Sequence, residues 1–291
     1  MQNGPSPHLD DPQFQSDIEQ SVRQALQEDI RDGDITAMLI PEDNIATATV
    51  ITREQAVICG QPWVDEVFKQ LDPNVEIEWL VKDGDEIQPN QTLFNLKGSA
   101  RSLLTGERTA LNFLQTLSGT ATTARQYAKL VEGTDIKILD TRKTTPGIRA
   151  LEKWAVKIGG GENHRFALYD MIMLKDNHID FCGGITKAIQ TTQAYLDEKS
   201  LDLKIIVEAR NLDEIAEILE NKGVYRILID NFNYEDTRKA VALIGNQCLT
   251  ESSGGITLDT VREYAECGVD YISSGALTHS VHNLDLSLKA V

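Results

Sequence analysis

Residues 139–178 read LDTRKTTPGIRALEKWAVKIGGGENHRFALYDMIMLKDNH, and no other part of the chain has this character. Seven cationic side chains fall within them: Arg142, Lys143, Arg149, Lys153, Lys157, Arg165 and Lys175. Five acids oppose these, so the stretch carries +2 in a protein of formal net charge −17. His164 and His178 lie among the cations. A cationic island in an acidic chain points to a pocket for an anion, because a nucleic-acid surface ordinarily makes its whole domain basic. The two ends of the stretch have the same form, a short apolar run followed by polar groups. Residues 136–139 lead into Asp140, Thr141, Arg142 and Lys143, and residues 171–174 lead into Lys175, Asp176, Asn177 and His178.

Downstream, this form repeats. Further apolar runs stand at 203–207, 227–229 and 271–272, with a weaker one at 248–249. Between runs, residues 148–158, 185–196, 212–220, 234–244 and 258–267 space their apolar side chains as helices do. The alternation predicts about six βα units, hence a parallel sheet or an incomplete α/β barrel. Each later run also ends in polar groups: Glu208, then Asp230 and Asn231, then residues 251–255, then residues 273–276. In βα barrels the C-terminal strand ends carry the active site, and the last two loops often hold phosphate. Any one of these loops is ordinary; the whole succession, with glycine in the last two, favours a barrel active site. A doubly wound nucleotide fold is the alternative. It needs a glycine-rich turn after the first strand, which LDTRKTTPG is not, and Gly159, Gly160 and Gly161 follow a helix.

Upstream, residues 1–16 read as a frayed tail. Ile18, Val22, Ala25, Leu26 and Ile30 predict a helix capped by Asp17 and ended by Gly33. Residues 45–58 are rich in β-branched side chains and predict one or two strands. A short helix at 63–71, a half-buried strand at 75–81 and a turn-and-strand unit around Asp83, Gly84 and Asp85 follow. Residues 102–131 turn helical, with an interruption expected at Gly119. Glu107 and Arg108 lie there amid apolar neighbours, either as an exposed ion pair or as an arginine directed into a shared pocket.

Composition narrows the partners. The chain has 291 residues, 41% hydrophobic and 25% charged, which suits one large or two smaller globular domains. Its acidity, with a pI near 4.7, argues against nucleic acid or an anionic membrane as partner. No run approaches the roughly 20 apolar residues of a membrane span, and residues 1–12 have no apolar signal core. Cys59, Cys182, Cys248 and Cys267 are scattered, as reduced thiols of a cytoplasmic protein would be, and a zinc site is not expected.

The residue types indicate what the pocket holds. Arg142, Lys143, His164, Arg165 and Lys175 together neutralise a polyanion: arginine forks a planar carboxylate, and lysine is a compact charge for phosphate. Ser253-Gly254-Gly255 and Ser274-Gly275-Ala276 offer backbone N–H groups to a phosphate. Glu208 and Asp230 are hard oxygen ligands for Mg²⁺, directly or through water or substrate. The implied ligands are one or two carboxylates, a phosphate and a metal-bound polyphosphate. Lys175 at a strand end also suits a Schiff base. His178 is as well read as a loop cap, His279 as a supporting residue, and His282 as solvated. Trp154 and Phe166 read as core.

The segments EDIRDGDIT, ERTALNFLQTLSG, DTRKTTPGIR, GGGENHRFALYDMIMLKDNHI, ILIDN, ESSGGI and SSGALTHS run through nearly the whole chain after the tail. In these, and in their order, the sequence resembles the quinolinate phosphoribosyltransferases (nicotinate-nucleotide pyrophosphorylases, carboxylating). The resemblance implies a mixed α+β domain over residues 1–112, rejoined by residues 279–291, and an incomplete α/β barrel over residues 113–278. It implies transfer of phosphoribosyl from 5-phosphoribosyl-1-diphosphate (PRPP) to quinolinate with Mg²⁺ and loss of CO₂, giving nicotinate mononucleotide and pyrophosphate in de novo NAD biosynthesis. It also implies a homodimer, with a higher oligomer left open. By position, Arg142, His164 and Arg165 resemble the clamp on the quinolinate carboxylates, and Arg108 resembles an arginine lent by the partner subunit. Lys143, Lys175 and Thr141 resemble contacts to the diphosphate and ribose phosphate. Glu208 and Asp230 resemble the acids at the ribose hydroxyls and metal, and the two glycine loops resemble the 5-phosphate site. One position departs from the family pattern: the third strand has Ile206 where an earlier acid is usual. Three rivals stand beside this reading: a phosphoribosyltransferase acting on nicotinate without decarboxylation, an aldolase using Lys175, and a non-catalytic anion-binding protein.

Overall fold

Helix α1 spans Pro12–Ile30 in the computed structural model, which describes residues 7–291. It takes up the end of the expected tail because Asp11, rather than Asp17, caps it. The Asp11 carboxylate accepts the Gln13 N–H at 2.9 Å, and a proline stands in the first turn. The expected tail over residues 1–6 lies outside the described residues. Phe14, Ile18, Val22 and Leu26 form the buried stripe of this helix, and Phe14 meets the Trp63 and Trp154 rings at centroid distances of 5.9 and 5.4 Å. Strands β1 (Ile45–Thr52) and β2 (Ala56–Val57), helix α2 (Gln61–Leu71), and strands β3 (Glu76–Trp79), β4 (Glu86–Ile87) and β5 (Thr92–Ser99) follow. Helix α3 (Ala100–Leu130) then runs through Gly119 without the expected interruption. A Cβ at Gly119 would collide with the His282 carbonyl oxygen, so this glycine admits a crossing chain and does not break the helix.

The rest is the alternation read from the sequence. Strand β6 (Lys137–Leu139), helix α4 (Arg149–Gly159) and strand β7 (Ile172–Leu174) come first. Next are helices α5 (Asp176–Cys182) and α6 (Ile185–Lys199), strand β8 (Ile205–Ala209), helix α7 (Leu212–Leu219) and strand β9 (Arg226–Asp230). Helix α8 (Tyr234–Ile244), strand β10 (Leu249–Ser253), helix α9 (Val261–Ala265) and strand β11 (Tyr271–Ser273) complete the series. Only α5 is unforeseen: KDNHIDFC itself turns helical before Gly183 closes it in a left-handed conformation.

The six strands make one parallel sheet in the order β6-β11-β10-β9-β8-β7. Each strand from β7 to β10 thus pairs with the next in the chain, and β11 returns to β6. That is the connectivity of an α/β barrel left open between β6 and β7. A parallel bridge from Leu139 to Glu162 lays the segment before β7 along the free edge of β6. Strand β8 is buried on both faces throughout, as parallel sheets covered by helices are.

Two compact units result. One, Gln126–Lys143 with Gly161–Ala276, holds the parallel sheet; the other, Pro7–Arg125 with Thr144–Gly160 and Leu277–Val291, holds the antiparallel sheet. This differs from a division at 112/113, which would fall inside α3. Packing gives the reason that α4 joins the antiparallel unit. A Cβ on Gly159 would collide with the Ala121 carbonyl and stand 2.6 Å from the Ala124 Cβ, and Arg125 Nε–H donates to the Gly159 carbonyl at 3.0 Å. Only glycine lets α4 sit so close on α3. After helix α10 (Ala276–His279), the chain returns as strand β12 (Leu286–Ala290), antiparallel to β1, and the second sheet reads β12-β1-β5-β3. All four cysteines are free. No helix among the described residues is long and apolar enough to cross a membrane.

Candidate active site

The cationic stretch does not fold as one patch. Arg149, Lys153 and Lys157 go with α4 into the antiparallel unit, while Arg142, Lys143, Arg165 and Lys175 stay with the parallel sheet. Arg149 and Lys153 have local tasks or burial: Arg149 Nε–H donates to Thr144 Oγ1 at 3.0 Å, and Lys153 is fully buried. Arg108 belongs to the antiparallel unit too, exposed on α3.

At the end of β6, Thr141 Oγ1 accepts the Lys143 N–H at 3.0 Å and turns the loop that carries Arg142 and Lys143. Asp140, fully buried, faces the other way. It accepts the His164 N–H at 2.8 Å and the Asn163 Nδ2–H at 2.6 Å, and so staples the segment after α4 to the strand end. That staple brings Arg165 toward Arg142. Burial, and then the Arg142 charge, hold the Arg165 guanidinium below its usual value, with Asp170 opposing. Arg165 Nη1 donates to the Met171 carbonyl at 3.1 Å. The Asp170 carboxylate accepts the N–H groups of Phe166 and Ala167 at 2.7 and 2.8 Å, which fixes the turn. Two guanidiniums gathered at a buried strand end make a place for a carboxylate. His164 is also buried there. Its Nδ1 accepts the Arg165 N–H at 2.7 Å and its Nε2 stands 3.3 Å from Glu251 Oε2.

At the end of β7, Lys175 Nζ lies 3.3 Å from Glu208 Oε2, and the Asp176 N–H donates to Glu208 Oε1 at 3.3 Å. Lys175 is paired and half exposed, unlike an amine nucleophile activated by desolvation. His178 Nδ1 accepts the Lys175 N–H at 3.1 Å, so this histidine caps α5. Ile206, the departure on β8, is fully buried with Met171, Leu228 and Met173. The missing acid therefore lies in an apolar cluster beneath the strand end, and Glu208 keeps its place.

Strands β9, β10 and β11 deliver the remaining parts. Asn231 takes φ +58, donates Nδ2–H to Asp230 Oδ2 at 2.6 Å and gives its backbone N–H to the Ser253 carbonyl at 2.9 Å. Asn231 is absent from the candidate set, although a polar residue tolerant of left-handed backbone, directly after Asp230, is a readable signal. Gly254 and Gly255 have φ +100 and +61. Ser274 Oγ donates to the Ile256 carbonyl at 2.9 Å and its N–H to the Leu139 carbonyl at 3.1 Å, so the last two loops brace each other and β6. Gly275 and Ala276 follow, partly exposed.

Among the described residues no three His, Cys, Asp or Glu side chains gather as a metal cage. Glu208 and Asp230 each carry hard oxygen donors of the kind Mg²⁺ takes, an ion that keeps several waters and leans on substrate phosphates.

Models of two domain families match the chain: quinolinate phosphoribosyl transferase, N-terminal domain, over residues 34–118, and the C-terminal domain over residues 120–289. A chloroplastic nicotinate-nucleotide pyrophosphorylase [carboxylating] of Oryza sativa is 42% identical over 289 residues, 94% of this chain and 77% of that one. A probable nicotinate-nucleotide pyrophosphorylase [carboxylating] of Bacillus subtilis is 41% identical over 90% of this chain and 89% of its own. The structure of the nicotinate-nucleotide pyrophosphorylase from Francisella tularensis superposes with a TM-score of 0.91 at 42% identity, covering 100% of this chain and 99% of that one.

Proposed function

The chain belongs to the quinolinate phosphoribosyltransferase family, and from that premise we propose how its own residues divide the work. The reaction is phosphoribosyl transfer from PRPP to quinolinate with decarboxylation, giving nicotinate mononucleotide, pyrophosphate and CO₂ for NAD biosynthesis. The observation that supports the division is the gathering of cations, two acids and two glycine loops at the strand ends of one parallel sheet.

Arg142 and Arg165, with His164 behind them, clamp the quinolinate carboxylates and orient the pyridine nitrogen toward ribose C1. Lys143, Lys175 and Thr141 hold the diphosphate and ribose phosphate. The loops Ser253-Gly254-Gly255 and Ser274-Gly275-Ala276 hold the 5-phosphate through backbone N–H groups. Glu208 and Asp230 face the ribose hydroxyls and are the residues that would hold Mg²⁺, which supplies charge neutralisation on the leaving diphosphate when bound. As the C1–O bond breaks, these acids stabilise positive charge at C1. Attack by the ring nitrogen then makes it cationic, that charge stabilises the electron pair left on the ring carbon when CO₂ departs, and a proton from solvent takes up that pair to give nicotinate mononucleotide.

We place the enzyme in the cytoplasm as a homodimer, with Arg108 entering the partner's clamp. Leu104 and Arg108 share a face of α3, and the exposed Ile35, Met38 and Leu39 lie on the segment that binds the start of this helix through Arg101 and Thr105. An apolar surface of this kind suits a protein partner. Release of CO₂ and nicotinate mononucleotide from quinolinate, PRPP and Mg²⁺ tests the reaction; product from nicotinate instead would select the rival phosphoribosyltransferase. Arg142→Ala, Arg165→Ala and Arg108→Ala each lower kcat/KM for quinolinate by on the order of 10²–10³. Mixed after dissociation, R108A and R142A chains regain about a quarter of wild-type activity, because a mixed dimer holds one intact site. Near-normal clamp variants, or no regain on mixing, would remove the clamp or the shared arginine respectively.

A further inference from the structure

A buried charged chain lies behind the clamp, and the division of labour above leaves it without a task. Glu251 stands in the middle of β10 with its side chain fully buried. Its Oε2 receives Arg226 Nη1–H at 2.7 Å and lies 3.3 Å from His164 Nε2. The Arg226 guanidinium, itself buried, stacks 3.9 Å above the Tyr271 ring. On the far side of the imidazole, Nδ1 accepts the backbone N–H of Arg165 at 2.7 Å. A ring nitrogen that accepts carries no proton, so the proton of this imidazole sits on Nε2, the nitrogen 3.3 Å from Glu251 Oε2. Both ring nitrogens are turned toward protein groups, and one of those groups is the backbone of the clamp arginine itself.

We propose that Glu251 is a positioning residue for the clamp, acting through His164 on Arg165. The ionised carboxylate accepts from Nε2–H and so selects the tautomer whose Nδ1 receives the Arg165 N–H. Asp140 holds the same segment from its other side, through the His164 N–H. Arg226 is the counter-charge that keeps Glu251 an acceptor in a buried place, where an uncompensated carboxylate would be costly. The proposal rests on the assignment of Arg165 to the quinolinate clamp.

Glu251→Leu removes the acceptor, and Glu251→Gln restores an oxygen in the place of Oε2, the one atom that meets both Arg226 and His164. In E251L nothing accepts from Nε2–H, so the tautomer is no longer selected. A proton on Nδ1 then opposes the Arg165 N–H, and the arginine is displaced. A displacement of this kind near a reacting group raises the quinolinate KM about tenfold or more. The PRPP KM stays within about twofold, since its loops lie on other strand ends. A ¹⁵N spectrum of the histidines in the full-length, unsubstituted protein supplies a readout that needs no variant. It is expected to show His164 protonated on Nε2 with Nδ1 bare, and in E251L to show that preference lost, with E251Q like the unsubstituted protein. Overturning results are a proton on Nδ1, or on both nitrogens, in the unsubstituted protein near neutral pH, or an E251L enzyme with both KM values unchanged. Should E251L fail to fold, the unsubstituted spectrum still decides. An unsubstituted protein inactive on quinolinate would refute the reading of the site and not the Glu251–His164 link, which the spectrum tests separately.

Discussion

Single residues set the tolerances of this site. Glu251 illustrates how: burial alone would push its carboxyl up, but the hydrogen bond from His164 and the Arg226 charge hold it below the usual carboxylate range. Gly254 is a second case. Its φ of +100 disfavours any side chain, and a Cβ there would run into the Asn231 side chain and stand 2.8 Å from the Asn231 backbone nitrogen. Asn231 in turn holds Asp230. Gly254→Ala is therefore expected to move both the phosphate loop and the ribose-facing acid, raising the PRPP KM about tenfold while the quinolinate KM changes little. Initial rates against each substrate, with circular dichroism to verify the fold, decide this; an unchanged PRPP KM would remove the loop from the site. Residue identity was legible from sequence where chemistry was carried by a charged or glycine-rich strand end. The pairings of Asn231 and Glu251 were not legible, because they reach across to neighbouring strands and loops.

At the level of elements, helix termini concentrate the electrostatics. Asp83 serves the start of α2, accepting the N–H groups of Gly60 and Gln61 at 2.9 and 3.2 Å. Burial nevertheless pushes its carboxyl up to about 6, the two backbone donors only restraining it. A folded value above the ordinary 3.8 means that the protonated acid favours the folded state. That contribution is full below pH 3.8 and is lost as pH rises through about 6. Two pKa units correspond to about 3 kcal/mol, an upper figure. In Asp83→Asn the amide oxygen keeps the cap without the charge. Urea midpoints for both proteins between pH 4 and pH 7 are expected to show wild type losing stability relative to D83N as pH rises; parallel curves would contradict it. The same scale explains which elements the sequence displayed. Strands and helices with a clean apolar period appeared where expected. Helix α1 began early because Asp11 made a better cap than Asp17, and α5 formed because the strand-end motif carried its own capping pair, Lys175 and His178.

For the whole molecule, the last strand matters most. Strand β12 covers the edge of β1, with Thr49 opposite Lys289 and Ile51 opposite Ser287, so the antiparallel sheet is complete only when β12 has been made. Deleting residues 286–291 leaves β1 as an open edge, a template for pairing with other copies. Such a truncation is expected to lower Tm by several degrees and to shift the protein toward aggregates in size-exclusion chromatography. An unchanged Tm and elution would show the strand dispensable. By itself the sequence determined the βα alternation, the six strand ends and the chemistry each presents, because apolar period and strand-end residues are local properties of the chain. Tertiary structure alone decided that residues 139–178 divide between two compact units, since α4 docks on α3 through Gly159. It also decided that His164 answers to Glu251 and that Asn231 closes on Gly254. Those pairings join residues far apart in sequence through close packing and buried charge, and no local pattern records them.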